Sequence, residues 1–231
     1  DAISTIYPAG GDGDILRDKV YTNVRNALMA GRFVPGQKMV IRQLAEQNGT
    51  SLTPVRECLR RLVAEGVLEG EANRSVRVPR MTGAKMRELR DIRLAVEGLA
   101  TARSAERITP EEVSGLRRMA EELADARRRG NVDADVAKLS EFQLGVYRAS
   151  GMPQLAKIIE SLWLQTGPYL KLLFPDYVKS VAARGGDWRG RLCAALEAHD
   201  AEAARREIVE DVGQSLDYLT TLADAADAFR A

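Results

Sequence analysis

Two arginines four residues apart, Arg56 and Arg60, lie in the stretch "NGTSLTPVRECLRRLVAEG" of residues 48–66, with Ser51 and Thr53 just ahead of them. A spacing of four puts both guanidiniums on one helix face. Val55, Leu59, Leu62 and Val63 supply an apolar face on the other side. Hydroxyls at the front of a helix sit where free backbone N–H groups already attract anions. Guanidiniums and hydroxyls are the groups that contact phosphates and base edges, so this end would suit a major groove. A solvated amphipathic helix with an ordinary cap shows the same pattern, and pattern alone leaves both readings open. Thr53-Pro54 predicts the helix start, with Thr53 as N-cap and Pro54 as the first helical residue.

Charge distribution favours an anionic partner for one part of the chain. The net charge of the 231 residues is only +1. Residues 15–80 carry 12 Lys and Arg against 6 Asp and Glu, whereas residues 81–231 carry 22 against 24. A basic front joined to a near-neutral rear points to nucleic acid at the front only.

The elements that position these residues follow from periodicity. Residues 1–13 are rich in breakers and are expected to form a flexible tail. Asp14 is expected to cap a helix reaching about Ala30, with Ile15, Val20, Val24 and Leu28 on its inner side. "GRFVPGQKM" is a connector, and "VIRQLAEQNG" a short helix closed at Asn48-Gly49. After Gly66 the period changes: Val67-Leu68 and Val76/Val78 flank a polar turn, which predicts a β-hairpin. Three helices and a hairpin make a winged helix-turn-helix over residues 14–80, with "RMTG" as linker.

Residues 81–231 read as helix after helix, an all-α bundle. Met86, Leu89, Ile92, Val96 and Leu99 are at helical spacing. Thr109-Pro110-Glu111-Glu112 is an N-cap with acids in the first turn. "RRRG" at 127–130 is expected to be a solvated helix end. Further helices are predicted over 133–150, from Pro153 to about Leu173, over 187–198 and over 200–229. Trp163, Tyr169 and Trp188 are expected in the core or a dimer face. Cys58 and Cys193 carry no paired motif and are expected to be reduced core thiols. No apolar run approaches the roughly 18 residues of a membrane span, and no secretory leader opens the sequence, so a cytoplasmic protein is expected.

"RQLAEQNGTSLTPVRECLRRLVAEGVLEGEANRSVRV" resembles the DNA-binding domain of the GntR family of bacterial transcriptional regulators, through Leu44-Ala45, Ser51, Pro54-Val55-Arg56-Glu57, Leu59, Leu62 and Glu65-Gly66. "RDIRLAVEGLA", "FQLGVYRASGMPQL" and "CAALEAHDAEAARR" resemble segments of the helical FCD domain of the FadR subfamily. The resemblance implies that Arg42, Ser51, Leu52, Thr53, Arg56 and Arg60 contact DNA, with Asn73, Arg74 and Arg77 in the wing. Leu52 departs from the family, where Arg is common, and Ser75 stands where the wing usually has Gly. The resemblance also implies a homodimer on a pseudo-palindromic double-stranded operator, a repressor controlled by a small organic acid.

Many FCD domains hold a metal on one Asp and three His. Here those positions carry Leu139, Gln143, Arg189 and Asp211, and the one histidine, His199, lies at none of them. The expectation is therefore no metal and no cofactor, with an effector site of Arg93, Gln143, Tyr147, Arg189 and Asp211. Arg189 would replace the metal's charge and grip a carboxylate in bidentate fashion. The competing reading makes Arg189–Asp211 a plain interhelical salt bridge beside a filled cavity, in a chain whose rear domain only dimerises. No nucleophile set, phosphate-cradling loop or metal cluster supports an enzyme.

Overall fold

The computed structural model describes residues 12–70, 75–174, 176–183 and 187–228. Helices α1 (Asp12–Met29), α2 (Ile41–Gln47) and α3 (Leu52–Ala64) are followed by strands β1 (Glu69–Gly70) and β2 (Val76–Arg77). The strands are antiparallel, with Glu69 opposite Arg77 and Gly70 opposite Val76. The connector adds a third edge: Met39 N–H donates to Val76 O at 2.8 Å and Val78 N–H to Gln37 O at 2.9 Å. Val20, Val24, Leu28, Leu44, Val55, Leu59, Leu62 and Val78 close one apolar core beneath this hairpin. This is the expected winged helix-turn-helix. Gly66 ends α3 at φ 71°, a left-handed turn that favours glycine and lets the chain double back into β1.

Three local expectations need correction. The first helix already begins at Asp12, so Asp14 lies inside it, and Ile15 is 66% exposed rather than on its inner side. Of the tail expected over residues 1–13, residues 1–11 lie outside the described residues, and Asp12 and Gly13 belong to the helix. The N-cap of α3 is Ser51, in extended conformation and without a side-chain bond, not Thr53. Pro54 therefore sits in the third helical position, which it tolerates because the first four N–H groups of a helix have no intrahelical partner.

The rear part contains α4 (Gly83–Ala105), α5 (Pro110–Arg128), α6 (Val132–Ala149), α7 (Pro153–Thr166), α8 (Asp176–Ala183), α9 (Trp188–Glu197) and α10 (Ala201–Ala228). Thr109 and Glu112 form a reciprocal capping box at α5, with bonds of 2.9 and 3.2 Å. The helix expected from Pro153 to Leu173 is α-helical only to Thr166. Pro168 lacks an N–H and crowds the carbonyl four residues back, so Gly167–Leu173 tightens into a 3-10 helix. The sequence reading did not include α8. The long helices α4 and α10 pack along each other. A Cβ on Gly98 of α4 would stand 2.9 Å from Val209, so glycine permits this close approach.

Front and rear touch directly. Ser140 of α6 donates to the Met29 carbonyl at 3.1 Å. Gly167 lies against the end of α1, where a Cβ would meet the Leu28 carbonyl at 2.4 Å. The Tyr169 hydroxyl donates to Pro79 O at 2.9 Å and accepts from Met81 N–H at 2.6 Å, holding the linker. No helix among the described residues is long and apolar enough to cross a membrane.

Candidate functional site

The outward side of α3 is built by subtraction. Val55, Leu59 and Leu62 are buried, which turns Ser51, Thr53, Arg56 and Arg60 outward. Arg61, the third arginine of the helix, is held by Glu65 at 3.0 Å and lies 3.7 Å over the Tyr21 ring. The Tyr21 hydroxyl bonds the same carboxylate, and burial together with Glu65 pushes its pKa up to about 12. Arg56 and Arg60 instead line an open groove between α3 and the hairpin, whose other wall includes Gly70, Ser75 and Val76. Arg42 is exposed on α2, and Arg77 is half-buried in β2. Leu52 leans on the core, so its side chain is turned partly away from this face. Asn73 and Arg74, expected in the wing, lie outside the described residues.

The rear domain encloses a cavity of about 40 Å³. Arg93, Leu139, Gln143, Arg189 and Asp211 all line it, so α4, α6, α9 and α10 bring together four of the five expected effector residues and all four positions of the family's metal ligands. Tyr147 does not line it. Its hydroxyl donates to Glu97, and burial and that carboxylate push its pKa well above 10. Glu97 also pairs with Arg93, whose Nη1 donates to Thr166 at 2.9 Å and whose guanidinium lies 4.6 Å over the Trp163 ring.

Arg127 also faces the cavity and pairs in bidentate fashion with the buried Asp135, at 2.8 and 3.0 Å. This corrects the expectation of a solvated RRRG end: Arg128 and Arg129 do pair outside with Asp125, but Arg127 turns inward. With two arginines neutralised, the unbalanced groups are Arg189 and Asp211. Gln143 donates to Asp211 at 3.0 Å. Burial raises the Asp211 pKa to about 6, against the pull of Arg189.

Arg189 is 8% exposed, lies 4.6 Å over Trp188, and has no hydrogen-bond partner at Nε. Burial lowers its pKa to about 10, with Asp211 acting in the other direction. The two feel each other electrostatically, yet no direct Arg189–Asp211 salt bridge forms, which corrects the competing reading on that point. The small cavity agrees with its other half. Trp163 and Trp188 are core residues, as expected, and also cavity walls. The Trp163 indole N–H is a second buried donor without an acceptor.

The donor set does not fit a metal. Leu139 offers nothing, the Gln143 amide is committed to Asp211, and a guanidinium at position 189 repels a cation. No cluster of three or more His, Cys, Asp or Glu occurs among the described residues. His199 stands apart, at φ 53° between α9 and α10, with Nδ1 2.7 Å from the Ala105 carbonyl. Cys58 and Cys193 are free and buried, and burial pushes their thiols up to about 12 and about 11, so both are poor nucleophiles.

Sequence reasoning missed Arg127, Trp163 and Trp188. Adjacency of Trp188 to Arg189 was the available signal, since a ring beside a buried guanidinium is a common support.

A winged helix-turn-helix with free arginines on its third helix, joined to a helical domain around a mostly apolar cavity that carries charged groups, defines a DNA-binding regulator with a sensory domain. The comparisons agree. Residues 16–78 match "Bacterial regulatory proteins, gntR family", and residues 88–213 match the FCD domain. The chain belongs to this family, and it is a transcriptional regulator rather than an enzyme. It is 31% identical over 201 residues to the HTH-type transcriptional regulator McbR of Escherichia coli (strain K12), covering 87% of this chain and 91% of that protein. The solved structure of E. coli McbR/YncC superposes with a TM-score of 0.82 at 31% identity, over 90% of this chain and 98% of that one. A GntR regulator from Rhodococcus sp. RHA1 shares the fold at 19% identity, with a TM-score of 0.68 over 87% of this chain and 96% of that one.

Proposed function

We propose that this regulator is a cytoplasmic homodimer that binds a pseudo-palindromic operator through Arg42, Ser51, Thr53, Arg56 and Arg60, and is controlled by a small organic acid bound without a metal. Arg189 carries the reading for the effector. A buried cation with an unsatisfied donor costs several kcal/mol, and such a group in a cavity marks a functional site. A carboxylate would accept from it in bidentate geometry and balance its charge. The unsatisfied Trp163 N–H on the same cavity asks for an oxygen acceptor as well. At about 40 Å³ the cavity is far below the roughly 300 Å³ of ordinary ligand pockets, so the effector is small or the walls around Leu173 and Phe174 yield to it.

The test is a thermal-shift screen against small organic acids, with and without a chelator. Binding to the native state raises stability by about 2.7 kcal/mol at a hundredfold excess over Kd. A chelator-insensitive shift with one acid class is the expected result. A shift abolished by chelator would restore the metal. No shift with any acid would favour the reading, suggested by the small cavity, in which the rear domain only dimerises.

A further inference from the structure

The two unbalanced charges of the rear cavity have opposite signs and do not pair. Arg189 comes from α9 and Asp211 from α10, and both line the same small space. Each is held by its own support. The Arg189 guanidinium lies 4.6 Å over the Trp188 ring, and Gln143 donates to Asp211 Oδ2 at 3.0 Å. Opposite charges attract strongly where water is scarce, so an arrangement that keeps them apart costs stability. Groups fixed ahead of binding in this way lower the cost of taking up a ligand that fits between them.

The other polar atoms on the wall divide in the same manner. Arg189 Nε and Trp163 Nε1 are donors without an acceptor. Asp211 Oδ1 accepts from no side chain among the described residues, and Gln143 Oε1 is left over when its amide nitrogen turns to Asp211. Two idle donors call for an anionic group, and two idle acceptors call for a cationic one. The two remaining arginines of the cavity, Arg93 and Arg127, are already neutralised by Glu97 and Asp135.

Charge balance then decides between ligands. A simple carboxylate would pair with Arg189 and leave Asp211 ionised and unpaired across the cavity. A simple amine would do the reverse, and a dicarboxylate would bring a second charge with no partner. Leaving one buried charge uncompensated is the costly case. A molecule that carries both an ammonium and a carboxylate satisfies both sides.

We propose that the cavity takes a small amino acid, with its carboxylate on Arg189 and the Trp163 N–H and its ammonium on Asp211 and Gln143 Oε1. This rests on the effector reading above and narrows it from any small acid to a zwitterion. For a simple acid Asp211 is an obstacle; for an amino acid it is a ligand. The ligand's side chain is left to face Leu170, Leu173 and Leu216, so it is apolar. A cavity of about 40 Å³ has room for roughly three waters, which favours the smallest members of the class.

The experiment is isothermal titration of the full chain, with chelator present, at about pH 7.5, where Asp211 with its pKa of about 6 is ionised. The probes are glycine, L-alanine and L-valine, each against the same molecule without its ammonium: acetate, propionate and 3-methylbutanoate. At least one amino acid should bind about tenfold or more tightly than its partner acid. Asp211→Asn should cost that amino acid about tenfold or more, while the partner acid keeps or gains affinity, so that the order inverts. An asparagine oxygen still accepts from Gln143, and a purely structural role for Asp211 would weaken both ligands alike.

The comparison in the wild-type chain stands even if the variant fails to fold. Acids that bind as tightly as their amino acids would overturn the zwitterion and leave the small-acid reading in place. An order that survives Asp211→Asn would remove Asp211 from the site and overturn the proposal. No heat from any probe would overturn it too, and the wider acid screen then decides the reading on which it rests.

Discussion

A guanidinium carries five donors, and Arg189 lies over Trp188 with its Nε bonded to nothing. If its task is to hold an effector carboxylate, then Arg189→Met should abolish the acid-induced thermal shift and the effector's influence on operator affinity. DNA binding itself should stay within about threefold. Without effector, the variant should melt no lower than wild type, because replacing an unpaired buried charge by an apolar side chain is neutral or stabilising. A loss of several degrees would mean that Arg189 is structural.

Asp211 supplies a pH signature. Its pKa is raised from 3.8 to about 6 by burial, with Arg189 pulling the other way. The folded state holds this proton more tightly than the unfolded one. Its contribution to stability is therefore present below about pH 4 and lost as pH rises towards 6. Above pH 6 the carboxylate faces any incoming anion across the cavity. Acid affinity should fall between pH 6 and 8, up to tenfold per unit, and Asp211→Asn should flatten the profile. An unchanged profile in the variant would exclude Asp211 from the site.

On the DNA side, Arg56→Ala should cost about 1–3 kcal/mol in operator binding with an unchanged melting temperature, since Arg56 is exposed. Unchanged affinity, measured on duplexes selected from a random pool, would remove α3 from the recognition role.

Between residue and molecule, the 3-10 helix Gly167–Leu173 is one element with contacts to both functions. Leu170 and Leu173 line the cavity, while Tyr169 between them grips the linker at Pro79 and Met81. An effector that moves this short helix moves the linker with it, and it can bias the DNA-binding heads only by its differential affinity for the two arrangements. Tyr169→Phe leaves the Met81 N–H without an acceptor and should cost about 1–3 kcal/mol of stability. It should also bring the ratio of operator affinities with and without effector towards one while the effector Kd stays near wild type. An unaltered ratio would place the coupling elsewhere, with the Ser140–Met29 bond of α6 the next contact to test.

This element also marks where the sequence stopped being legible. The cap at Thr109 was readable, because with Glu112 it satisfies local rules, whereas the caps expected at Asp14 and Thr53 fall inside their helices. The winged fold was readable from α3 and the hairpin. The break at Gly167-Pro168 was visible in residue type but read through as helix. The role of Tyr169 was not visible at all, since its partners lie about ninety positions away. The cavity was legible only through family positions. Periodicity alone would have put Ile92 inside with Met86 and Leu89, but it is Arg93 and Glu97 that turn inward on α4, held by Thr166 and Tyr147.

At the scale of the whole molecule, the proposed two-fold symmetry makes a quantitative demand on DNA binding. One α3 presents few side chains; in the proposed dimer two copies read the operator, and each phosphate contact then occurs twice per complex. Binding to duplex DNA releases about 0.9 counterion per neutralised phosphate, and this sets the slope of log K against log salt. If Arg60 meets one phosphate per half-site, Arg60→Ala should reduce that slope by about 1.8 for a dimer and by about 0.9 for a monomer. The measurement is operator affinity by fluorescence anisotropy between 50 and 300 mM salt, for wild type and Arg60→Ala in parallel. An unchanged slope would mean that Arg60 only lines the groove beside Arg56. A reduction near 0.9 would mean that a single head engages the operator, which a symmetric dimer on a pseudo-palindrome does not allow. A reduction near 1.8 would join the exposed face of α3 to the proposed two-fold symmetry, because a contact made once in the chain is then counted twice on the DNA.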